Sequence, residues 1–228
     1  MAVAVTSKAK KSALSAKAKA PLEPVRDAER TKQALLAAAE VEFSTKGLAG
    51  ARVDVIAEQA AANKRMLYYY FGSKEELYLA VLERAYGSMR EAERKLNLTD
   101  LAPREAIKTW VEFKFDYCQQ HQQIIALLAG ENMLGAVHLK RSRRLRDMNM
   151  SLVDVISALL DAGVAKGDIR PGIDPVHLYI SMSALSYFYF SNSATLSAAF
   201  GRALSSPAEQ KLRRAHCVDV IMSYIAAR

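Results

Sequence analysis

The sequence predicts an all-α protein in two parts, a small N-terminal unit of short helices and a larger C-terminal helical bundle. Three observations carry this. Only 10 Gly and 6 Pro punctuate the 228 residues, too few for a chain of strands and turns. The stretches between them are rich in Ala, Leu, Glu, Lys and Arg, which are strong helix formers. Within those stretches apolar residues recur at three- and four-residue spacing. Hydrophobic residues make up 51% of the chain, so a sizeable core can be buried.

The elements follow in order. Pro21 and Pro24 close a basic opening segment, and residues 26–46 read as the first helix, with Leu35, Ala39 and Phe43 on one face. Gly47 is its natural stop. A short helix over 53–60 carries Val53, Ile56, Ala57 and Ala60. Ala61-Ala62-Asn63 interrupts it, and Asn63 suits the cap of a third short helix through residue 70. Ser73 and Glu76 have the spacing of a reciprocal capping box, opening a longer helix with Leu77, Ala80, Val81 and Ala85. Pro103 fits the first turn of a helix bearing Ile107, Trp110, Val111 and Lys114. Helical segments follow over 121–135 and 138–163, the latter with Met148, Leu152, Val155, Leu159 and Leu160 as its stripe. Asp174-Pro175 reads as cap plus first-turn proline for a helix to residue 192. Ser206-Pro207-Ala208-Glu209 repeats the device for a last helix to residue 224.

The net charge is +8, and five of those charges precede the first acid: Lys8, Lys10, Lys11, Lys17 and Lys19, ahead of Glu23. Residues 1–25 are therefore expected to form a disordered basic arm, either a solvated tail or a phosphate-tracking arm. Cys118 and Cys217 stand far apart in no metal-ligand spacing, as expected of buried thiols in a reducing cytoplasm. No apolar run reaches the roughly 18 residues that a membrane span needs. The expectation is a cytoplasmic protein with no membrane partner.

Two short helices joined by a tight turn are too small to be a core for their own sake; they suit presentation of the second helix to a groove. That helix reads Asn63-Lys64-Arg65-Met66-Leu67-Tyr68-Tyr69-Tyr70-Phe71. Leu67 and Phe71, four apart, can pack inward, which turns Lys64, Arg65, Tyr68 and Tyr69 outward. A basic side chain near a helix start can reach guanine edges or phosphates, and tyrosine hydroxyls are phosphate donors. Lys74 opens the next helix, whose free amides reinforce a phosphate contact. From the residues alone, the same run could equally be core beneath a solvated basic face.

Ile56-Ala57, the Ala61-Ala62-Asn63 turn and Leu67-Tyr68-Tyr69-Tyr70-Phe71-Gly72-Ser73-Lys74-Glu75-Glu76-Leu77 resemble the TetR family of bacterial helix-turn-helix transcriptional regulators. The likeness covers about residues 30–82. It implies a helix-turn-helix DNA-binding domain over 26–73 joined to a helical ligand-binding and dimerisation domain over 74–228. By position it makes Lys64, Arg65 and Met66 candidates for base edges. Tyr68 and Lys74 become phosphate contacts, with Tyr69 and Tyr70 beside them. Two positions depart from the family's pattern. Ala61 stands where a turn glycine is usual, so the backbone must avoid positive φ or bear strain. Arg52 falls where a capping Thr is common, which weakens the cap but adds a cation able to meet a phosphate.

The resemblance thins in the bundle, where it implies a ligand cavity and a dimer interface. The helix from Val176 carries Leu178, Met182, Leu185 and Tyr189, with Tyr179, Ser186 and Phe190 beside them, and its all-round apolar character suits burial between subunits more than a ligand box. Cavity candidates are Trp110, Phe113, Tyr117, Leu127, Asn132, Met133, Tyr187 and Phe188, aromatic walls with a few polar groups. The run Lys140, Arg141, Arg143, Arg144 and Arg146 is either a solvated face or an attractor for an anionic effector or DNA. The sequence offers no nucleophile–base pair, phosphate loop or metal-spaced cluster, so no enzyme, cofactor or metal is expected. The expected function is a homodimeric repressor on a palindromic double-stranded DNA operator, released by a small-molecule effector. A non-specific architectural DNA protein is the weaker alternative, because it would leave the long bundle without a purpose.

Overall fold

The computed structural model describes residues 23–227. Through residue 22 the predicted basic arm lies outside them. Ten α-helices are present among the described residues: α1 Glu23–Gly50, α2 Val53–Gln59, α3 Lys64–Phe71, α4 Lys74–Arg94, α5 Pro103–Gln120, α6 Gln122–Met133, α7 Arg143–Ala165, α8 Pro175–Ser191, α9 Ser193–Phe200 and α10 Pro207–Ile225. Short 3-10 turns at Leu98–Asp100 and Leu139–Arg141 join α4 to α5 and α6 to α7.

The first helix opens three residues earlier than expected, because Pro24 sits in its first turn instead of ending the arm. Gly47 does break it, at φ 67, before one further turn to Gly50. Four predicted caps are made. Asn63 accepts from the Arg65 amide at 2.8 Å, Ser73 from Glu76 at 3.1 Å, Asp174 from His177 at 2.8 Å and Ser206 from Glu209 at 3.4 Å. The Ser73 box is closed from one side, since the Glu76 carboxylate is taken by Arg141 instead of turning back. α9 has no counterpart in the sequence reading, which placed no helix between residues 192 and 206.

Two apolar clusters organise the chain. The first gathers Leu35, Ala39 and Phe43 of α1, Ile56 of α2, Leu67 of α3, Leu77, Tyr78, Val81 and Leu82 of α4, and Leu127 of α6. Phe43 meets Tyr78 edge to face at 5.1 Å between ring centroids. The second joins α5, α7, α8 and α10 around Ile107, Trp110, Phe115, Ile156, Met182, Cys217 and Ile221. α4 thus serves the first cluster with its N-terminal half and reaches the bundle with its C-terminal half.

α7 is long and apolar enough to cross a membrane by length and composition alone. Its stripe of Leu152, Ile156, Leu159 and Leu160 packs into the bundle while the opposite side is open, so it is an amphipathic helix lying on the bundle with one face in the core. Near its end Gly163 allows a close approach: a Cβ there would lie 2.3 Å from the Ile169 side chain. Ile169 is itself buried and bridges to Ala226, which fastens the turn after α7 to the C-terminal end of α10.

Candidate functional site

The turn between α2 and α3 fixes one half of the site. Ala61 takes φ 49, so the turn uses the left-handed backbone setting in spite of lacking glycine. The Ala62 amide bonds the Ala57 carbonyl at 2.9 Å, and Asn63 then caps α3. Arg52, before α2, makes no side-chain cap. Its own amide is held at 3.1 Å by Glu42, a buried carboxylate reaching across from α1.

On α3, Leu67 is fully buried and Phe71 partly so, which orients the rest of the helix. Lys64, Arg65, Tyr68 and Tyr69 are exposed, Tyr69 at 84%. Met66 and Tyr70 are half-buried, and the Tyr70 ring packs edge-on against both Tyr69 and Phe71. Lys74 donates to the Ala49 carbonyl at 3.3 Å, tying the start of α4 to the end of α1. The exposed Arg52 guanidinium is forked onto Asp54 at 2.6 and 3.3 Å. Four predicted DNA contacts therefore share one open face, Lys74 and Arg52 flank it already engaged, and Met66 and Tyr70 belong partly to the packing.

The other half of the site is a cavity of about 340 Å³ walled by α4, α5, α6 and α8. It gathers four of the predicted ligand residues: Phe113, Tyr117, Asn132 and Tyr187. The other four lie elsewhere. Trp110 faces a separate hollow of about 510 Å³ and donates its indole N–H to Glu93 at 3.0 Å. Leu127 is in the first apolar cluster, where its carbonyl accepts from the Tyr78 hydroxyl at 3.3 Å. Met133 is 89% exposed, and Phe188 lies on the outer face of α8.

Sequence reasoning missed Tyr86, Lys114, Tyr179 and Ser183 on the cavity wall. It also missed the buried polar cluster behind them. The Glu93 carboxylate receives Arg90 on one oxygen, and Trp110 and Lys114, the latter at 3.2 Å, on the other. Arg90 also donates to the Tyr179 hydroxyl at 2.7 Å and to Asn149 at 3.2 Å, while the Lys114 ammonium sits 4.2 Å from the Tyr179 ring centroid. Burial alone would raise the Glu93 carboxyl, but Lys114 and Arg90 outweigh it and hold the group below its ordinary range. The one available signal was Lys114 itself, a lysine four residues after Trp110 on an otherwise apolar stripe. A second buried pair, His138 Nδ1 to Glu131 at 2.9 Å, anchors the loop after α6. On the cavity wall, burial pushes the Cys118 thiol up to about 11, which keeps it from acting as a nucleophile near neutral pH.

The stripe of α8 expected between subunits is inside this subunit: Leu178, Met182 and Tyr189 are buried in the bundle. On these two helices the exposed apolar residues are Val176 and Phe188 of α8 with Leu212, Val220 and Tyr224 of α10, while Ile180 of α8, also exposed, lines the cavity.

Residues 35–81 match the model of bacterial regulatory proteins of the tetR family, and residues 103–221 match that of the tetracyclin repressor-like C-terminal domain. The second match spans more than half of the chain. The chain belongs to the TetR family. Like its family, this TetR-family chain is a helix-turn-helix, DNA-binding transcriptional regulator. It is 41% identical over 170 residues to the HTH-type transcriptional repressor NicS of Pseudomonas putida, covering 75% of this chain and 80% of that one. It is 35% identical over 173 residues to the HTH-type transcriptional regulator RutR of Escherichia coli K12, covering 76% and 80%. Among solved structures, a transcriptional regulator from Streptomyces coelicolor superposes with a TM-score of 0.66 at 27% identity, covering 87% of this chain and 99% of that one. FadR of Bacillus subtilis, solved with stearoyl-CoA, shares the fold at 14% identity and a TM-score of 0.61, covering 85% and 99%.

Proposed function

We propose that this TetR-family regulator is a repressor, bound as a homodimer to a palindromic operator and released when a small molecule enters the cavity. One observation carries the reading: two helices are shared between the reading head and the cavity. α4 sets Leu77, Tyr78, Val81 and Leu82 in the head's core and Tyr86 and Met89 on the cavity wall. α6 sets Leu127 in that core and the adjacent Leu128 on the wall. A ligand that pushes on either helix therefore pushes on the packing that orients α3. Close-packed interiors pass such displacements on instead of absorbing them. Half-sites lie about 34–36 Å apart, so a small change in head separation is enough to break simultaneous docking.

In this reading Lys64, Arg65 and Met66 face base edges, and Arg52, Tyr68, Tyr69, Tyr70 and Lys74 serve the phosphates. The division at residue 73 is functional, with α4 as the wall common to both parts. The open apolar face of α8 and α10 is the dimer contact, because a patch of that kind on a monomer would stand exposed to water. Bacterial operator DNA puts the protein in the cytoplasm. The two relatives' names, repressor and regulator, support the class.

Leu128→Trp tests the coupling without knowing the effector, because the added ring occupies the cavity. Operator affinity in a mobility shift should fall at least tenfold with the dimer intact. Unchanged affinity contradicts the reading, and tighter binding would turn it into a ligand-dependent repressor.

A further inference from the structure

The buried cluster at the cavity does not balance its own charge. Arg90 and Lys114 bring two cations and Glu93 one carboxylate, all three at least nine-tenths buried. Both Glu93 oxygens are in use, one by Arg90 and the other by Trp110 and Lys114. Lys114 stands on the cavity wall, and among the described residues no Asp or Glu joins it there. An ammonium carries three donors; Glu93 takes one, and the Tyr179 ring face below engages the group as a cation. Ser183 adds a second unsatisfied group on the same wall, a buried hydroxyl with no hydrogen-bond partner. A surplus buried charge and an unpaired buried hydroxyl are costly and rare, which marks the wall that carries both as a place for a ligand.

We infer that the cavity takes a small aromatic carboxylic acid, its carboxylate meeting the Lys114 ammonium and its ring lying among Phe113, Tyr117 and Tyr187. One surplus positive charge matches a monoanion; a phosphate-type dianion would overcompensate it, and a cation would be repelled. Phe113 and Tyr117 have ring centroids 5.4 Å apart, tilted 40° to one another, and supply an aromatic corner against which a ring can pack. A volume of about 340 Å³ is at the low end for small-molecule pockets and suits one or two fused rings. The Tyr179 phenol reports the same field: burial pushes it up, but Lys114 and Arg90 more than reverse this.

The inference rests on the cavity being the effector site, and its test separates the two ideas. Benzoate, benzamide, phenylphosphonate and benzylamine, with the naphthalene acid and amide as larger probes, are titrated into the full chain by calorimetry. Emission from the chain's single tryptophan, Trp110, is followed in parallel, since drawing Lys114 toward an acid alters the partners of Glu93. An acid should bind at least tenfold tighter than its amide and shift the emission, while the phosphonate and the amine bind more weakly than the acid. Lys114→Met should abolish the preference for acid with the native circular dichroism kept, and the milder Ser183→Ala should weaken the acid severalfold. Amide binding as tight as acid, an acid preference that survives Lys114→Met, or no binding by any probe overturns the inference. An acid that binds with this preference but leaves operator affinity unchanged upholds the acid site and removes the regulatory reading. A neutral probe that binds best and releases DNA does the reverse.

Discussion

Ala61 occupies a backbone setting that suits glycine. At φ 49 its Cβ crowds the following carbonyl oxygen, at a cost of about 1–2 kcal/mol for a residue other than glycine. Ala61→Gly relieves that strain but frees the unfolded chain, so a net gain of about 0.5–1 kcal/mol is expected. Thermal unfolding checks it; an unchanged or lowered Tm would show the turn to be unstrained. Glu93 makes a prediction in pH. Because its folded carboxyl sits below the ordinary 4.5, its contribution is present above that value and is lost as pH falls through the folded pKa. Wild-type Tm should therefore drop as pH falls below 4.5, and Glu93→Gln should flatten that drop. At neutral pH the same variant should be less stable by about 3 kcal/mol, since two buried cations lose their shared partner.

At this scale the sequence was legible where chemistry is local. Asn63, Ser73, Asp174 and Ser206 each bond the amide that their positions foretold. It was illegible where partners come from afar. Glu93 and Lys114 are 21 residues apart, and Arg90 and Tyr179 are 89 apart, so beyond the lone lysine on the apolar stripe of α5 nothing in their neighbourhoods foretold the buried cluster.

Among the elements, α3 is defined by what it buries. Leu67 and Phe71 fix its roll, and the exposure of Lys64, Arg65, Tyr68 and Tyr69 follows from helical spacing. Arg65→Ala should change preference at one base step, because a guanidinium reads a guanine edge. Lys74→Ala should weaken binding to every sequence and lower the salt slope by about one unit. Its ammonium also bonds the Ala49 carbonyl, so a small loss of Tm should accompany the loss of affinity. If both variants bound operator DNA as the wild type does, α3 would not be the reading helix. α8 shows where element-level reading falls short. An all-round apolar helix announces burial on every side without saying which side meets which partner. Only the packing separates the inner Met182, the cavity-lining Ile180, Ser183 and Tyr187, and the outer Phe188. Spacing along single helices likewise did not show that Trp110, Leu127, Met133 and Phe188 lie outside the lining of this cavity.

For the whole molecule, the layout of head and bundle followed from helical spacing and from the family motif around α3. The cavity did not, since four helices distant in sequence must converge to enclose it. The proposed dimer contact lies on the open face of α8 and α10. Phe188→Asp puts a charge there without touching the core, because the ring is 55% exposed. Sedimentation should show monomers with unchanged helix content, and operator affinity should fall about a hundredfold or more as the second head is lost. A dimer that survives this change would place the interface elsewhere. The most direct measurement of the central claim is a binding isotherm of the full chain on its own upstream DNA under a large excess of unrelated duplex. Saturation at two subunits per duplex that withstands the competitor, and that weakens in the Arg65→Ala chain, is the predicted result. Uniform binding to any duplex, titrated away in proportion to competitor, would contradict it.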